Sequence, residues 1–314
     1  MLFDKKSTFQ KIDLEEIDLE NNFYKFSKKI IDDRLKSIIK DYGVLEPPVL
    51  LKRDNIFTII FGHTVIQILK ELGIEYVDSF IMEELNPTLY LNQALLKHYR
   101  NEIGPIGRLH LLQILRDTLN LDKNLLSSAS KSLQIPEEFI QKAELSERAI
   151  GLPENLKDYI DTRDIGYKIL KNILSLQNEA ITLLNNWIIA TPIRTKIFKN
   201  IIDMTIDINK KHRSISSIKN IDLCQIQDGR AKETFLYQEI SKIRYPEYTK
   251  LTTKATNIID KLKKTGVETN FPEYFEGDEI KISLRINTRE GMKSFKKRLQ
   301  NIDINELQKL LNLL

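Results

Sequence analysis

The chain has 314 residues, of which 41% are hydrophobic and 29% charged, a composition that fits a soluble globular protein and excludes wholesale disorder. Its single cysteine excludes a disulfide framework and a structural zinc cluster, and its four scattered histidines lack metal-ligand spacing. The longest uncharged apolar stretch, residues 56–69, is too short to span a membrane, so we expect a cytoplasmic protein without a metal site.

The net charge of +4 is distributed unevenly along the chain. Residues 1–100 and 101–190 each carry a net charge of −2, whereas residues 191–314 carry 24 basic against 16 acidic residues, a net charge of +8. Because basic segments attract anionic polymers, this last third is where we expect a nucleic acid to be attracted.

The first hundred residues predict a small α/β module. Apolar spacing predicts a helix over Asp33–Tyr42 that ends at Gly43. A turn and a first strand are expected over 44–51, and a second strand over 57–61, with a polar hairpin loop between them. A third strand is expected over Tyr76–Met82.

The second strand ends at Gly62 and His63, and residues 65–72 then have helical spacing. Such a strand-to-helix turn is where free helix N–H groups hold phosphates, so Gly62, His63 and Thr64 are candidate nucleotide contacts. The alternative is that Gly62 only permits the turn and Thr64 only caps the helix.

The middle of the chain predicts helices. Apolar residues with i, i+3, i+4 spacing occur over 106–119, 125–133, 137–145, 154–160, 165–174 and 179–189. Beyond them we expect helices with loops around 219–230, a basic helix over 249–264, a strand over 279–287, and helices over 289–300 and 305–314. The apolar sides of the last two helices would cover a sheet or pair with another subunit.

Residues 125–145 have the spacing of a helix-turn-helix, with helices over 125–133 and 137–143 joined at Gln134-Ile135-Pro136. In this motif the second helix enters the DNA major groove. The candidate DNA contacts in this segment are Lys131, Ser132, Gln134, Glu137, Glu138, Gln141 and Lys142. In the basic C-terminal part they are Lys296, Lys297 and Arg298. An ordinary corner of a helical bundle remains the alternative, because two leading glutamates repel phosphates.

The order of these pieces resembles the ParB family of partition proteins, which join a ParB/sulfiredoxin-like domain to a helix-turn-helix. The resemblance spans roughly residues 30–190. It is carried by the stretch 37–50, the Gly62 turn with Leu72-Gly73, the linker Arg100 and Gly104-Pro105-Ile106, and Leu152-Pro153-Glu154. It implies double-stranded DNA, a homodimer and a ParA-type ATPase as partners, with CTP and Mg²⁺ as ligands.

Two motifs depart from that family. The arginine-rich phosphate box of the family is Gly-Glu-Arg-Arg-x-Arg-Ala, whereas residues 62–68 of this chain read Gly-His-Thr-Val-Ile-Gln-Ile. The family's Glu-Asn-x-x-Arg box corresponds to residues 96–100, where only the final arginine, Arg100, is kept. Arg100 therefore joins Gly62, His63 and Thr64 as the remaining nucleotide-binding candidates. We expect CTP binding and hydrolysis to be lost. We therefore expect the protein to have neither a cofactor nor a catalytic residue.

These observations predict a mostly helical α+β protein. Its parts are an N-terminal α/β domain (1–100), a central all-α helix-turn-helix domain (101–190), a helical connector (191–240) and a basic, dimerising C-terminal α/β domain (241–314). The expected function is nucleoid-associated DNA binding in plasmid, phage or chromosome partition, or in related regulation. The alternatives are a nucleotide-dependent hydrolase or phosphotransferase that uses the Gly62 turn, and an interaction adaptor that does not bind DNA.

Overall fold

A computed structural model describes residues 8–26, 33–54, 56–212, 215–264, 267–272, 275, 277, 279–284 and 302–314. The fold is mostly helical α+β, as predicted. The chain divides into two compact units, Met1–Asp203 and Met204–Leu314. The finer division into four segments remains a prediction.

The first unit opens with a five-stranded mixed sheet in the order β1-β5-β3-β4-β2. Its strands are β1 (Thr8–Asp13), β2 (Ile17–Asp18), β3 (Val49–Arg53), β4 (Ile56–Phe61) and β5 (Tyr76–Met82). Strand β3 is antiparallel to β4 and parallel to β5, with Leu50 opposite Ile81. Helices α1 (Asp33–Tyr42) and α2 (His63–Glu71) contribute Ile39, Ile66 and Leu69 to the same buried core as the sheet.

Two features of this sheet differ from the sequence prediction. The β3–β4 hairpin is tighter than predicted, because β3 extends to Arg53 and β4 begins at Ile56. Asp54, at φ +53°, lies in the turn between them. Strands β1 and β2 were not predicted. Each strand buries a single residue, Ile12 in β1 and Ile17 in β2, so neither carries a strong alternating pattern.

Helices make up the rest of the first unit. They are α3 (Pro87–Tyr99), α4 (Pro105–Gln113) with a π-helical turn at Ile114–Thr118, α5 (Lys123–Ser132), α6 (Glu137–Gln141), α7 (Ala143–Ile150), α8 (Glu154–Thr162), α9 (Tyr167–Leu174) and α10 (Asn178–Ala190). The single helix predicted over 137–145 is wrong: the backbone of Lys142 leaves the helical region (φ −106°, ψ 86°) and divides it into α6 and α7. The Ser146 hydroxyl donates to the Phe139 carbonyl (2.8 Å) across this break.

Helix α4 connects the sheet module to the helices that follow. The carboxylate of Asp161 in α8 accepts hydrogen bonds from the backbone N–H groups of Ile106 (2.7 Å) and Gly107 (3.1 Å), which caps the start of α4. A Cβ at Gly107 would lie 2.0 Å from the carbonyl oxygen of Phe26, so only glycine allows this close approach. Helix α4 therefore joins residues at the N-terminal module to α8 by direct contacts.

The second unit is reached along α11 (Thr195–His212), which crosses the boundary between the units. It contains α12 (Ser216–Lys219), α13 (Gly229–Arg244), α14 (Pro246–Lys264), the antiparallel pair β6 (Val267–Asn270) and β7 (Lys281–Leu284), and α15 (Ile304–Leu311). Ala255, Leu262 and Leu310 form its small C-terminal core. The predicted helix 289–300 and the end of the predicted strand 279–287 lie outside the described residues.

Candidate nucleic-acid interface

Helices α5, α6 and α7 cover the segment that the sequence predicts to be a helix-turn-helix, and local hydrogen bonds define its shape. The Asp122 carboxylate caps α5 by accepting from the N–H groups of Asn124 (2.9 Å) and Leu125 (3.0 Å). The helix ends where Gln134 adopts a left-handed conformation at φ +56° and the N–H of Ile135 donates to the Ser130 carbonyl (3.0 Å). Pro136 then leads directly into α6.

One side of this motif is buried. Ala129, Leu133, Ile135 and Phe139 are all buried, and the Phe139 ring lies 5.2 Å from the ring of Tyr167 in α9. The apolar spacing predicted Ala129, Leu133 and Ile135, but it pointed to Ile140 as the fourth residue, which is half-buried, whereas Phe139 is the buried one. These buried side chains hold the α5–α7 segment in place, because they cannot rearrange without opening cavities.

The opposite side carries the predicted DNA contacts. Six of the seven residues predicted in this segment are exposed: Lys131, Ser132, Gln134, Glu137, Gln141 and Lys142. The seventh, Glu138, is half-buried and forms an ion pair with Lys171 of α9 (Nζ to Oε2, 2.5 Å). Lys296, Lys297 and Arg298 lie outside the described residues.

Lys171 is a candidate that the sequence prediction missed. It compensates one of the two glutamates that would otherwise repel phosphates, and the exposed Lys168 lies one helical turn away on α9. Lys171 is engaged by Glu138, whereas Lys168 is exposed beside this pair. Only the packing of α9 against the helix-turn-helix places them there, so no local sequence pattern could have identified them.

The Gly62 turn forms a second candidate site. Gly62, at φ +99°, is the N-cap of α2, and no side chain caps this helix, so the interpretation of Thr64 as the cap is wrong. Burial, assisted by the positive charges of Lys25 and Lys97, lowers the pKa of His63 to about 3, so its imidazole is neutral at pH 7. Its buried Nε2 makes no hydrogen bond within the described part of the chain.

Two of the three cations considered at this turn are already engaged with carboxylates. The guanidinium of Arg100 pairs with Glu46 (3.1 Å), and the Lys97 ammonium pairs with Glu102 (2.8 Å). Lys25 and Lys97 were not among the predicted contacts, because only the fold brings them near His63. The turn therefore offers an anion few free charges.

We expect the full chain to show no CTP hydrolysis and no CTP binding in the micromolar range. Each lost charge-assisted phosphate contact removes about 1.5–3 kcal/mol, and a neutral His63 does not replace an arginine. Isothermal titration of CTP with magnesium measures this. Glu46→Gln, which leaves Arg100 only its longer contact with Glu102 (4.0 Å), serves as the comparison. Micromolar binding by the unmodified chain would contradict the expectation.

The second unit presents a row of lysines on α14. Lys250, Lys254, Lys261 and Lys264 are exposed and recur with spacings of four, seven and three residues, which places them on one side of the helix over about 21 Å. Lys250 pairs with the exposed Glu247, and Lys261 pairs with the buried Glu306. We refer to these four residues as the lysine stripe.

Other chemistry has little support. Over the described ranges, no three histidine, cysteine or acidic side chains are grouped to hold a metal ion, and none of the described helices has the length and hydrophobicity to span a membrane. Cys224 is exposed. A hydrogen bond to Asp222 raises the pKa of its thiol, which makes it less nucleophilic at neutral pH.

No protein-family model and no curated protein matches this sequence. The chain is similar to a solved structure of a Pnob8-like ParB-N domain, with 16% identity and a TM-score of 0.39, over 79% of this chain and 97% of that one. It is also similar to two structures of the C-terminally truncated chromosome-partitioning protein ParB from Caulobacter crescentus. The complex with the centromeric parS site has 10% identity and a TM-score of 0.28, over 62% of this chain and 98% of that one. The complex with CTP-γ-S has 14% identity and a TM-score of 0.23, over 58% and 99%.

Proposed function

We propose that this chain is a ParB-like DNA-binding protein whose helix-turn-helix contacts base pairs in the major groove. The observation that carries the proposal is the segment from α5 to α7, buried on the side of Ala129 and Phe139 and exposed at Gln134, Gln141 and Lys142. A helix held rigidly from one side, with small polar and basic groups on the other, is suited to reading base edges.

Selection of duplexes from a random library by the full chain tests the proposal. We expect one sequence motif to be enriched. Lys142→Ala should lower discrimination between that motif and random DNA by about 1–3 kcal/mol, as for a lost base contact. Lys123→Ala, at the start of α5, is the control and should leave discrimination unchanged. Failure to enrich any sequence would contradict base reading and favour the adaptor alternative.

The lysine stripe has a different role in this proposal. A row of exposed lysines on one helix attracts phosphates irrespective of sequence. The central helices would then select a site while the second unit increases affinity for any duplex. Partition of a plasmid, phage or chromosome with a ParA-type ATPase is the cellular role that this division of tasks would serve, with regulation by DNA binding as the other use.

We also propose that the C-terminal part forms the homodimer. A two-stranded sheet such as β6–β7 is marginal on its own, and Ile282, Ile304 and Leu311 are exposed beside the small C-terminal core. Association would cover these apolar side chains.

For the full chain, we expect light scattering to give the mass of a dimer. Ile304→Lys combined with Leu311→Lys should give a monomer, since it would place two charges in the buried contact. Leu96→Lys combined with Leu125→Lys alters two exposed leucines of the first unit and should leave the dimer intact. A monomeric unmodified chain at micromolar concentration would contradict the dimer.

A further inference from the structure

The exposed side of α6 carries a side-chain pair, between its first residue Glu137 and its last residue Gln141, that bears on which base is read. The amide Nε2 of Gln141 donates to the Glu137 carboxylate at 2.7 Å, across one turn of the helix. An ionised carboxylate only accepts hydrogen bonds, so the amide must present its nitrogen to Glu137. The orientation of Gln141 is therefore set by its neighbour.

This orientation leaves a defined set of groups on Gln141. One of its two N–H bonds is used by Glu137, which leaves one donor and the carbonyl acceptor. The major-groove edge of adenine offers the complement, an N6 amino donor and the N7 acceptor, whereas guanine offers two acceptors, O6 and N7. Guanine would therefore face the Gln141 carbonyl with a second acceptor.

Glu137 strengthens the same discrimination. Its remaining lone pairs accept hydrogen bonds only, so a guanine O6 nearby is repelled while an amino group is tolerated. Glu137 and Glu138 are the two glutamates that begin α6. Lys171 compensates the charge of Glu138 but not that of Glu137.

We propose that Gln141 selects adenine over guanine at one position of the DNA site and that Glu137 is the residue that positions it. This inference rests on the proposed function, because it assumes that α6 lies against base edges. It adds the base that is read and the residue that fixes the reading group.

The experiment uses the full chain with the duplex enriched from a random library. We expect adenine to be preferred over guanine at one position by about tenfold, and that preference to be lost in Gln141→Ala. Substituting 7-deazaadenine, which lacks the N7 acceptor, at that position should weaken binding of the unmodified chain but not of Gln141→Ala.

Two substitutions of Glu137 separate positioning from simple repulsion of phosphates. Glu137→Gln keeps a carbonyl that accepts from Gln141, so the tenfold preference should persist, whereas Glu137→Ala should reduce it to about twofold or less. Both should bind random DNA more tightly, because each removes a negative charge. The control is Glu144→Ala, which removes an exposed carboxylate on α7. It should increase general affinity for DNA without changing the preference for adenine.

The outcomes are distinguishable. No enriched sequence for the unmodified chain would overturn the proposed function itself. An enriched sequence whose adenine preference survives in Gln141→Ala would overturn the assignment of Gln141 and leave DNA binding intact. Equal preference in Glu137→Ala and the unmodified chain would overturn the positioning role of Glu137.

Discussion

Replacing Lys250, Lys254 and Lys264 by glutamine will weaken binding to every duplex and flatten its dependence on salt. Each phosphate contact contributes about 0.9 to the slope of log affinity against log salt concentration, so three lost contacts lower it by about 2.7. Lys261 is left in place because it helps hold Glu306, which is buried beside the C-terminal core. Fluorescence anisotropy with random duplexes at several salt concentrations measures the slope.

The control for this experiment removes the same charge elsewhere. Lys40, Lys52 and Lys70 are exposed on the N-terminal sheet module, and their replacement by glutamine should leave the slope nearly unchanged. An unchanged slope in the lysine-stripe variant would show that α14 is an ordinary solvated helix. Equal losses in both variants would indicate a general effect of net charge, and the stripe would then have no special role.

Much of the N-terminal module could be predicted from local patterns. Helix Asp33–Tyr42 and strand Tyr76–Met82 were predicted with the bounds that the structure gives, because each has one clear apolar side and an adjacent glycine or polar turn. Strands β1 and β2 could not be predicted, because an edge strand is stabilised by pairing with its neighbour and little by its own burial.

The candidate site divides in the same way. The buried side of the helix-turn-helix follows from apolar residues at fixed spacing, so Ala129 and Leu133 were identifiable. The break at Lys142 was not, since neither glycine nor proline marks it. The Lys171–Glu138 pair and the Glu46–Arg100 pair join residues 33 and 54 positions apart, and only tertiary packing determines such contacts. Local sequence thus predicted the elements that have a clear apolar side, whereas tertiary packing determined the edge strands and the charge pairs.

Phe139→Ala will destabilise the helix-turn-helix more than any exposed substitution in it. The ring is fully buried against Tyr167, and removing a buried phenylalanine side chain costs about 3–5 kcal/mol, because the cavity closes only partly. Hydrogen exchange of the full chain should show lost protection across α5–α7. Phe139→Leu leaves a smaller cavity and should have a smaller effect. Tyr167→Phe keeps the buried ring and removes the hydroxyl with its hydrogen bonds to the Pro105 carbonyl (3.3 Å) and Arg108, which should cost about 1 kcal/mol.

Phe139→Ala also separates the two proposed DNA contacts. Phe139 lies beneath the surface that carries Gln141 and Lys142, so a loosened α6 should lose discrimination between the selected site and random DNA. The lysine stripe belongs to the other unit, and binding of random duplex should keep its salt slope. If Phe139→Ala abolished random binding as well, the second unit would not hold DNA by itself. If discrimination survived with α5–α7 unprotected, base reading would have to come from outside this motif.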